Sequence, residues 1–248
     1  LKKERIESGW HVISKDVIKA EKYLYSYTDS TTRGLVGGYI DEIDQNLIFG
    51  TNGKGETFLY SLLDNKFKSL ESNLNQIYRD QKFDEYTSSP GQFSVKDIFF
   101  DKEKNEVYAS LLIDLTGEGC YGMSIYRAKL NNLSFSSVQK NNSLVFKKFF
   151  QTELCNRNFN GHRSGGRIQK LKNNIIFTVG DLGVVNTNSP NAIIPENKKN
   201  IFGQILSISE NGQSQLISTG HRNPQGLEIV NEKIFSTEHG PQGGDEIN

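Results

Sequence analysis

Short apolar runs separated by polar turns make up most of the chain, and a helical spacing of apolar residues is rare. One unit occurs four times: an apolar run, a polar turn, and a second apolar run that ends on a small hydroxyl residue. The four copies are GYIDEIDQNLIFGT, KDIFFDKEKNEVYAS, GRIQKLKNNIIFTVGD and GLEIVNEKIFSTEHG. Short runs bounded by turn residues predict an all-β protein. Two short helices are also candidates, at 16–23 and 66–79.

The repeat predicts a β-propeller. Phe49, Tyr108, Phe177 and Phe235 fall at equivalent points of the four units, 58 to 69 residues apart. This spacing exceeds the about 40 to 50 residues of common propeller repeats, and longer connecting loops explain the excess. A β-sandwich is the competing interpretation, and it does not require a repeat.

Further strands between the repeated units complete each predicted blade. They lie at 57–62, 121–128 and 203–209, the last followed by a hairpin turn at 210–213. A blade cannot bury both of its faces alone, so neighbouring blades must stack around an axis. The loops GDLG, after Val179, and EHGP, after Thr237, should then meet on one face. We count about four blades and treat residues 1–248 as one partial propeller domain.

Composition excludes some classes of partner. Lys and Arg together number 29, as do Asp and Glu, so the net charge is zero and no nucleic-acid partner is indicated. No run of eighteen apolar residues indicates a membrane span. The only cysteines, Cys120 and Cys155, are either one disulfide or two unrelated thiols. The chain begins without Met and ends at Asn248 inside its strongest motif, so we expect a fragment or a processed chain.

Two polar loops near the carboxyl end carry most of the candidate chemistry. GHRNPQG, at 220–226, offers an imidazole, a guanidinium and two amides in a turn held by Pro and Gly. EHGPQGGDEIN, at 238–248, contains Gly and Pro residues that allow carbonyl oxygens to converge. Such loops suit a hard cation together with an anionic ligand. Asp245 and Glu246 either belong to a structural calcium site or cap loop amides.

A third constellation lies upstream, where NGHRSGGRI is followed by an apolar strand and then GDLG. His162 and Asp181 stand at opposite ends of one predicted hairpin. Folding the hairpin brings the carboxylate onto the imidazole, which would fix the tautomer and raise the basicity of the other ring nitrogen.

These motifs together resemble the soluble quinoprotein glucose dehydrogenases and aldose sugar dehydrogenases, the glucose/sorbosone dehydrogenase family. GHRNPQG, EHGPQGGDEIN and the HxSG(G)R…GDxG segment carry the likeness, although five steps separate His162 from Arg167 where the shorter form of the motif has four. The resemblance implies a six-bladed propeller, of which about four blades are present here. It also implies oxidation of an aldose at its anomeric carbon, with pyrroloquinoline quinone as acceptor and calcium holding the quinone.

The resemblance assigns roles to individual residues. His162 is the expected base, Asp181 supports it, and Arg222 stabilises negative charge on the quinone. Arg222 and Asn223 match quinone contacts, and Gln225 and His239 are placed in the same cofactor pocket. The backbone oxygens of Gly240 and Pro241 are the expected calcium ligands, whereas His221 and Asn248 are structural members of the motif. The implied partners are a sugar substrate and an external electron acceptor, and the implied location is periplasmic or secreted.

Two other functions compete with the dehydrogenase. A non-catalytic binding propeller of the same superfamily, of the hedgehog-interacting type, would share the fold without needing the base, the calcium ligands or the Arg-Asn pair. A metal-dependent hydrolase would use His162, His221 and His239 as ligands, but calcium hydrolase sites favour carboxylates and amides over three imidazoles.

Overall fold

A computed structural model describes residues 38–86, 92–130, 135, 143–157, 159–183, 201–240 and 244–248, together with four short strands before residue 27. Internal contacts divide the chain into two units, residues 1–33 and 34–248. In the first unit, β1 (Lys2–Glu4) pairs with β4 (Leu24–Ser26), and β2 (His11–Val12) pairs with β3 (Val17–Ile18). The prediction of one domain for the whole chain stays a prediction.

The second unit contains four blades of antiparallel strands arranged as a β-propeller, so the predicted fold class is confirmed. The first blade consists of β5 (Gly38–Asp44), β6 (Leu47–Asn52), β7 (Thr57–Ser61) and β8 (Lys66–Leu70). The second consists of β9 (Val95–Asp101), β10 (Glu106–Asp114), β11 (Tyr121–Lys129) and β12 (Lys147–Gln151). The third consists of β13 (Gly165–Leu171), β14 (Asn174–Val179), β15 (Gln204–Ile208) and β16 (Ser214–Thr219). The fourth consists of β17 (Pro224–Val230), β18 (Lys233–Glu238) and β19 (Glu246–Ile247).

Each repeated sequence unit forms the first hairpin of a blade, because its two apolar runs pair across a tight turn. In the fourth blade the turn residues Asn231 and Glu232 both have positive φ, as a two-residue type I′ hairpin requires. The other predicted strands match β7, β11 and β15 to within a residue or so at their ends, and the turn at 210–213 joins β15 to β16.

The helical candidates are largely wrong. Residues 66–70 form β8, since their backbone pairs with β7, and only Leu74–Arg79 form a helix, α1. A second short helix, α2, spans Phe83–Tyr86. Within the candidate at 16–23, the described Val17–Ile18 are extended, and the rest lies outside the described residues. None of the helices in the described ranges is long and apolar enough to cross a membrane.

Two apolar clusters hold the first three blades together. One packs side chains of the first blade against the second, and the other packs the second against the third. The repeat aromatics take part, since Phe49, Tyr108 and Phe177 are fully buried. Phe235, the equivalent residue of the fourth blade, is 42% exposed.

The first strands of successive blades contact one another, β5 with β9, β9 with β13, and β13 with β17. Ion pairs cross between them: Arg167 lies 3.0 Å from Asp97, and Lys170 lies 2.9 Å from Asp101. This order brings the starts of β9, β13 and β17 to the same end of the propeller as the ends of β14 and β18, where the candidate site lies.

Cys120 and Cys155 form a disulfide, with their Cα atoms 5.3 Å apart. The bond ties the start of the third strand of the second blade to the segment that leads into the third blade. The sequence left this pairing open, and the structure decides it.

Candidate active site

A pocket of about 670 Å³ opens at the end of the propeller where the motif loops meet. Six residues predicted from the sequence line it: His162, Arg222, Asn223, Gln225, His239 and Gly240. The loops that follow β14 and β18 both contribute to its wall, so their predicted meeting is confirmed. Pro241, the second predicted calcium ligand, lies outside the described residues.

His162 and Asp181 occupy neighbouring loops without the expected hydrogen bond between them. The His162 side chain is exposed, and its backbone N–H donates to Asn160 Oδ1 at 3.2 Å. The Asp181 carboxylate is buried, accepts the Gly183 N–H at 2.7 Å and lies 3.5 Å from Arg163 Nη1. The permanently charged guanidinium of Arg163 therefore takes the place expected for the imidazole.

The pKa of Asp181 is raised by burial, an effect opposed by the Gly183 N–H and by the positive charges of Arg163 and Arg222. Through Arg163, the Asp181 carboxyl group contacts the loop that carries His162. The Asp181 backbone N–H donates to the Arg222 carbonyl at 2.9 Å, which ties its loop to the GHRNPQG loop.

Arg222 reaches the loop that was predicted to hold calcium. Its Nη1 donates to the carbonyl oxygens of His239 at 2.9 Å and of Gly240 at 3.2 Å. Two main-chain oxygens therefore converge on one cationic nitrogen. Carbonyl oxygens are also the donors that calcium prefers, so this loop end attracts positive charge of either kind.

The other predicted residues divide between support and wall. Asn223 is buried, and its Oδ1 accepts the Gly165 N–H at 3.3 Å, which joins the GHRNPQG loop to the start of β13. Gln225 and His239 have exposed side chains on the pocket wall. Asp245 accepts the Gly240 N–H at 3.1 Å and lies 3.3 Å from His239 Nδ1, which are the contacts of a residue that caps loop amides.

Sequence reasoning missed Glu238, which joins both carboxyl-terminal loops. Its Oε1 lies 2.9 Å from His221 Nδ1 and accepts from Asn248 Nδ2 at 2.9 Å. Its Oε2 accepts the backbone N–H groups of Arg222 at 2.7 Å and Asn223 at 3.4 Å. The alternation of side chains along β18 could have identified this residue, because it places Glu238 on the same inward face as buried Ser236.

His221 has both ring nitrogens engaged. Nδ1 contacts Glu238 and Nε2 lies 2.9 Å from Ser218 Oγ, and the side chain is buried. This imidazole cannot reach a metal in the pocket without leaving its partners, so the three-histidine hydrolase hypothesis loses one ligand. In the described ranges no three His, Cys, Asp or Glu side chains are placed to hold a metal ion.

The charge of the pocket wall is one-sided. Lys96, Arg163 and Arg222 line it, and among the described residues no Asp or Glu does. Lys96 was also missed from the sequence, where it is only a polar residue at the start of the repeated unit.

A family model described as glucose / sorbosone dehydrogenase matches residues 87–248, which is more than half of the chain. The chain belongs to this family. The matched range contains all the predicted site residues.

Solved structures with a similar fold are also found. A crystal structure of a glucose dehydrogenase shares a TM-score of 0.62 at 18% identity, covering 87% of this chain and 61% of its own. An oxidoreductase described as a glucose dehydrogenase, from Thermus thermophilus, shares a TM-score of 0.58 at 17% identity, covering 87% and 62%. At these identities the likeness concerns the fold. This glucose/sorbosone dehydrogenase family member thus spans about three fifths of either structure, and no curated protein sequence matches it.

Proposed function

We propose that the protein oxidises an aldose at its anomeric carbon, with pyrroloquinoline quinone as acceptor and calcium as the bound cation. Family membership supports an oxidoreductase that acts on sugars. The observation that carries the finer proposal is that His162, Arg222, Asn223 and Gly240, from distant parts of the sequence, line one pocket.

The pocket fits both groups in its donor chemistry. A tricarboxylic quinone needs positive partners, and the described wall carries cationic side chains without an acidic one. The carbonyl oxygens of His239 and Gly240 already converge on a cation, the Arg222 guanidinium, so they suit a hard cation when the guanidinium moves to the quinone. Gly240, with Pro241 beside it, would hold the calcium.

The bound quinone supplies the acceptor for the hydride that leaves the anomeric carbon, and calcium polarises the accepting carbonyl. The anomeric hydroxyl must lose its proton in the same step, so that the sugar becomes a lactone. His162 is proposed to take this proton on its ring nitrogen, since its side chain is exposed and lines the pocket. Asp181 holds the supporting loop through Gly183 and Arg163, and Arg222 positions the anionic acceptor.

An external electron acceptor would then reoxidise the cofactor. A periplasmic or secreted location is part of the proposal, and the Cys120–Cys155 disulfide supports it, because such bonds persist in oxidising compartments.

One observation favours a second candidate, a non-catalytic binding propeller of the same superfamily. Asp181 is bound to Arg163 and Gly183 in the described structure, so the His162 ring lacks the carboxylate that a tuned base requires. A binding protein would need the pocket but not this pair.

A single assay series separates the two candidates. Pyrroloquinoline quinone and calcium are added to the full-length apoprotein, and dye reduction is followed with a panel of aldoses. His162→Ala should lower turnover by about 10²- to 10⁴-fold, the usual contribution of a general base, while quinone uptake followed by absorbance is retained. Lys129→Met, at the opposite end of the second blade, is the matched control and should behave as the wild type.

Quinone uptake and turnover that survive in His162→Ala would remove His162 as the base. A folded wild-type protein that takes up no quinone would instead favour the binding propeller.

A further inference from the structure

Lys96 lines the pocket, although its strand, β9, mainly contacts the first strands of the neighbouring blades. It is the second residue of β9 and lines the same pocket as His162 and Arg222. Gly166 on β13 makes room for it, since a Cβ added at Gly166 would lie 2.4 Å from Lys96 Cβ. The lysine stem therefore passes close to the β13 backbone, and a side chain at position 166 would collide with it.

The Lys96 ammonium is only partly satisfied by the chain. Its Nζ donates to the Gln92 carbonyl at 2.7 Å, and no described carboxylate forms an ion pair with it. A lysine ammonium has three donors and no acceptor capacity, so two N–H groups still require acceptors. None of the described residues supplies these acceptors, so the pocket is where a ligand can provide one.

The surroundings favour a negatively charged acceptor. Arg163 and Arg222 line the same pocket from the loops that precede the third and the fourth blade. Arg163 forms an ion pair with Asp181 at 3.5 Å. The Arg222 guanidinium instead donates to backbone carbonyls, which carry no net charge. The chain as a whole is electrically neutral, so this local excess of positive charge belongs to the pocket.

Burial lowers the pKa of Lys96 to about 8, and at neutral pH the side chain still carries its charge. A charge that is desolvated without an anionic partner destabilises the folded protein. Binding of an anion would remove that cost.

We propose that Lys96 is a ligand-binding residue whose ammonium binds a carboxylate of the molecule that occupies the pocket. The identity of this molecule rests on the proposed function. The carboxylate belongs either to the tricarboxylic quinone or to an acidic sugar such as a uronate, and both present the same group to the ammonium.

The test compares wild-type full-length protein with Lys96→Met, in which an unbranched side chain of similar length replaces the ammonium. Calorimetry measures the Kd of pyrroloquinoline quinone in the presence of calcium, and of benzene-1,3,5-tricarboxylate, a carboxylate probe without redox chemistry. Loss of a charge-assisted hydrogen bond should weaken binding about tenfold or more. Dye-reduction assays compare KM for glucose and glucuronate. Lys96→Gln repeats every measurement in case the methionine variant does not fold, and Lys129→Met is the control.

A weaker Kd for the quinone with an unchanged KM for glucose supports the proposal and assigns the carboxylate to the cofactor. An unchanged Kd for the quinone with a raised KM for glucuronate alone supports it and assigns the carboxylate to the substrate. Unchanged quinone binding, tricarboxylate binding and glucuronate KM overturn it.

The proposed function fails separately, when the folded wild type takes up no quinone. In that case the tricarboxylate measurement still decides the role of Lys96: tighter binding to wild type than to the variants supports it, and equal or absent binding overturns it.

Discussion

The seam between the second and third blades is apolar, whereas the seam between the third and fourth blades is polar. At the first, Phe150 of β12 meets Phe177 of β14 edge to face, with ring centroids 6.0 Å apart, inside a continuous apolar cluster. At the second, the buried groups are Glu238, His221 and Asn223. Apolar contact is non-directional and contributes free energy, while hydrogen bonds fix positions. The candidate site lies at the polar seam, where loop atoms need defined places.

Phe177→Ala should have the largest effect on stability. Truncating a buried aromatic residue costs about 3–5 kcal/mol of the free energy of unfolding, since it leaves a cavity between two blades. Urea denaturation followed by circular dichroism measures it. Phe235→Ala is the matched control at the equivalent point of the fourth blade, where the ring is 42% exposed, and should cost clearly less. Equal losses at both positions would contradict the contrast between the seams.

Glu238→Gln should lower the free energy of unfolding by less than Phe177→Ala does, but it should impair ligand binding more. The amide retains one acceptor oxygen and turns an NH₂ group toward N–H donors, so hydrogen bonds to a charged group worth about 2–3 kcal/mol are lost. The lost bonds hold Arg222 and Asn223 in place. The variant should therefore bind the proposed quinone more weakly even under conditions where it is fully folded. Calorimetry and urea denaturation on the same samples measure both quantities.

Glu228→Gln is the control for this prediction, since Glu228 is an exposed acid on the neighbouring strand β17. A Glu238→Gln variant that is destabilised yet binds quinone with wild-type affinity would show that the polar seam supports the fold and not the site.

Lys96→Met should differ from the other two substitutions in sign, because it should stabilise the folded protein. The pKa of Lys96 is lowered from 10.5 to about 8, so keeping the charge destabilises the folded wild type below pH 8. That cost disappears as the pH rises from about 8 toward 10.5, because the folded protein then releases the proton first. The Tm of the variant should exceed that of the wild type at pH 7, and the difference should shrink by pH 10. A variant with a lower Tm at pH 7 would mean that Lys96 has a structural role.

The repeat was readable from the sequence because period-two patterning reports which strand residues face a core. Phe49, Tyr108 and Phe177 marked the same strand in three blades, and all three are buried. The helix expected at 66–79 failed for the opposite reason. Residues 66–70 have a weak local preference, and pairing with β7 decides their conformation.

The motifs identified the pocket wall but not the bonds within it. His162, Arg222 and Gly240 do line one pocket, yet Asp181 is bound to Arg163 instead of His162. His162 and Arg163 are adjacent in the loop, and the path of the backbone decides which of the two reaches the Asp181 carboxylate. Residue types and spacing do not contain that path.

The sequence by itself determined the repeat, the predominance of strands and the neutral charge, because each follows from local pattern or composition. Its motifs also named six of the residues that line the pocket. Only the tertiary structure decided that Glu238 joins the two carboxyl-terminal loops, that Cys120 pairs with Cys155, and that Lys96 reaches the same pocket as Arg222. These partners are far apart along the chain, and their contacts exist only once the blades have stacked around the axis.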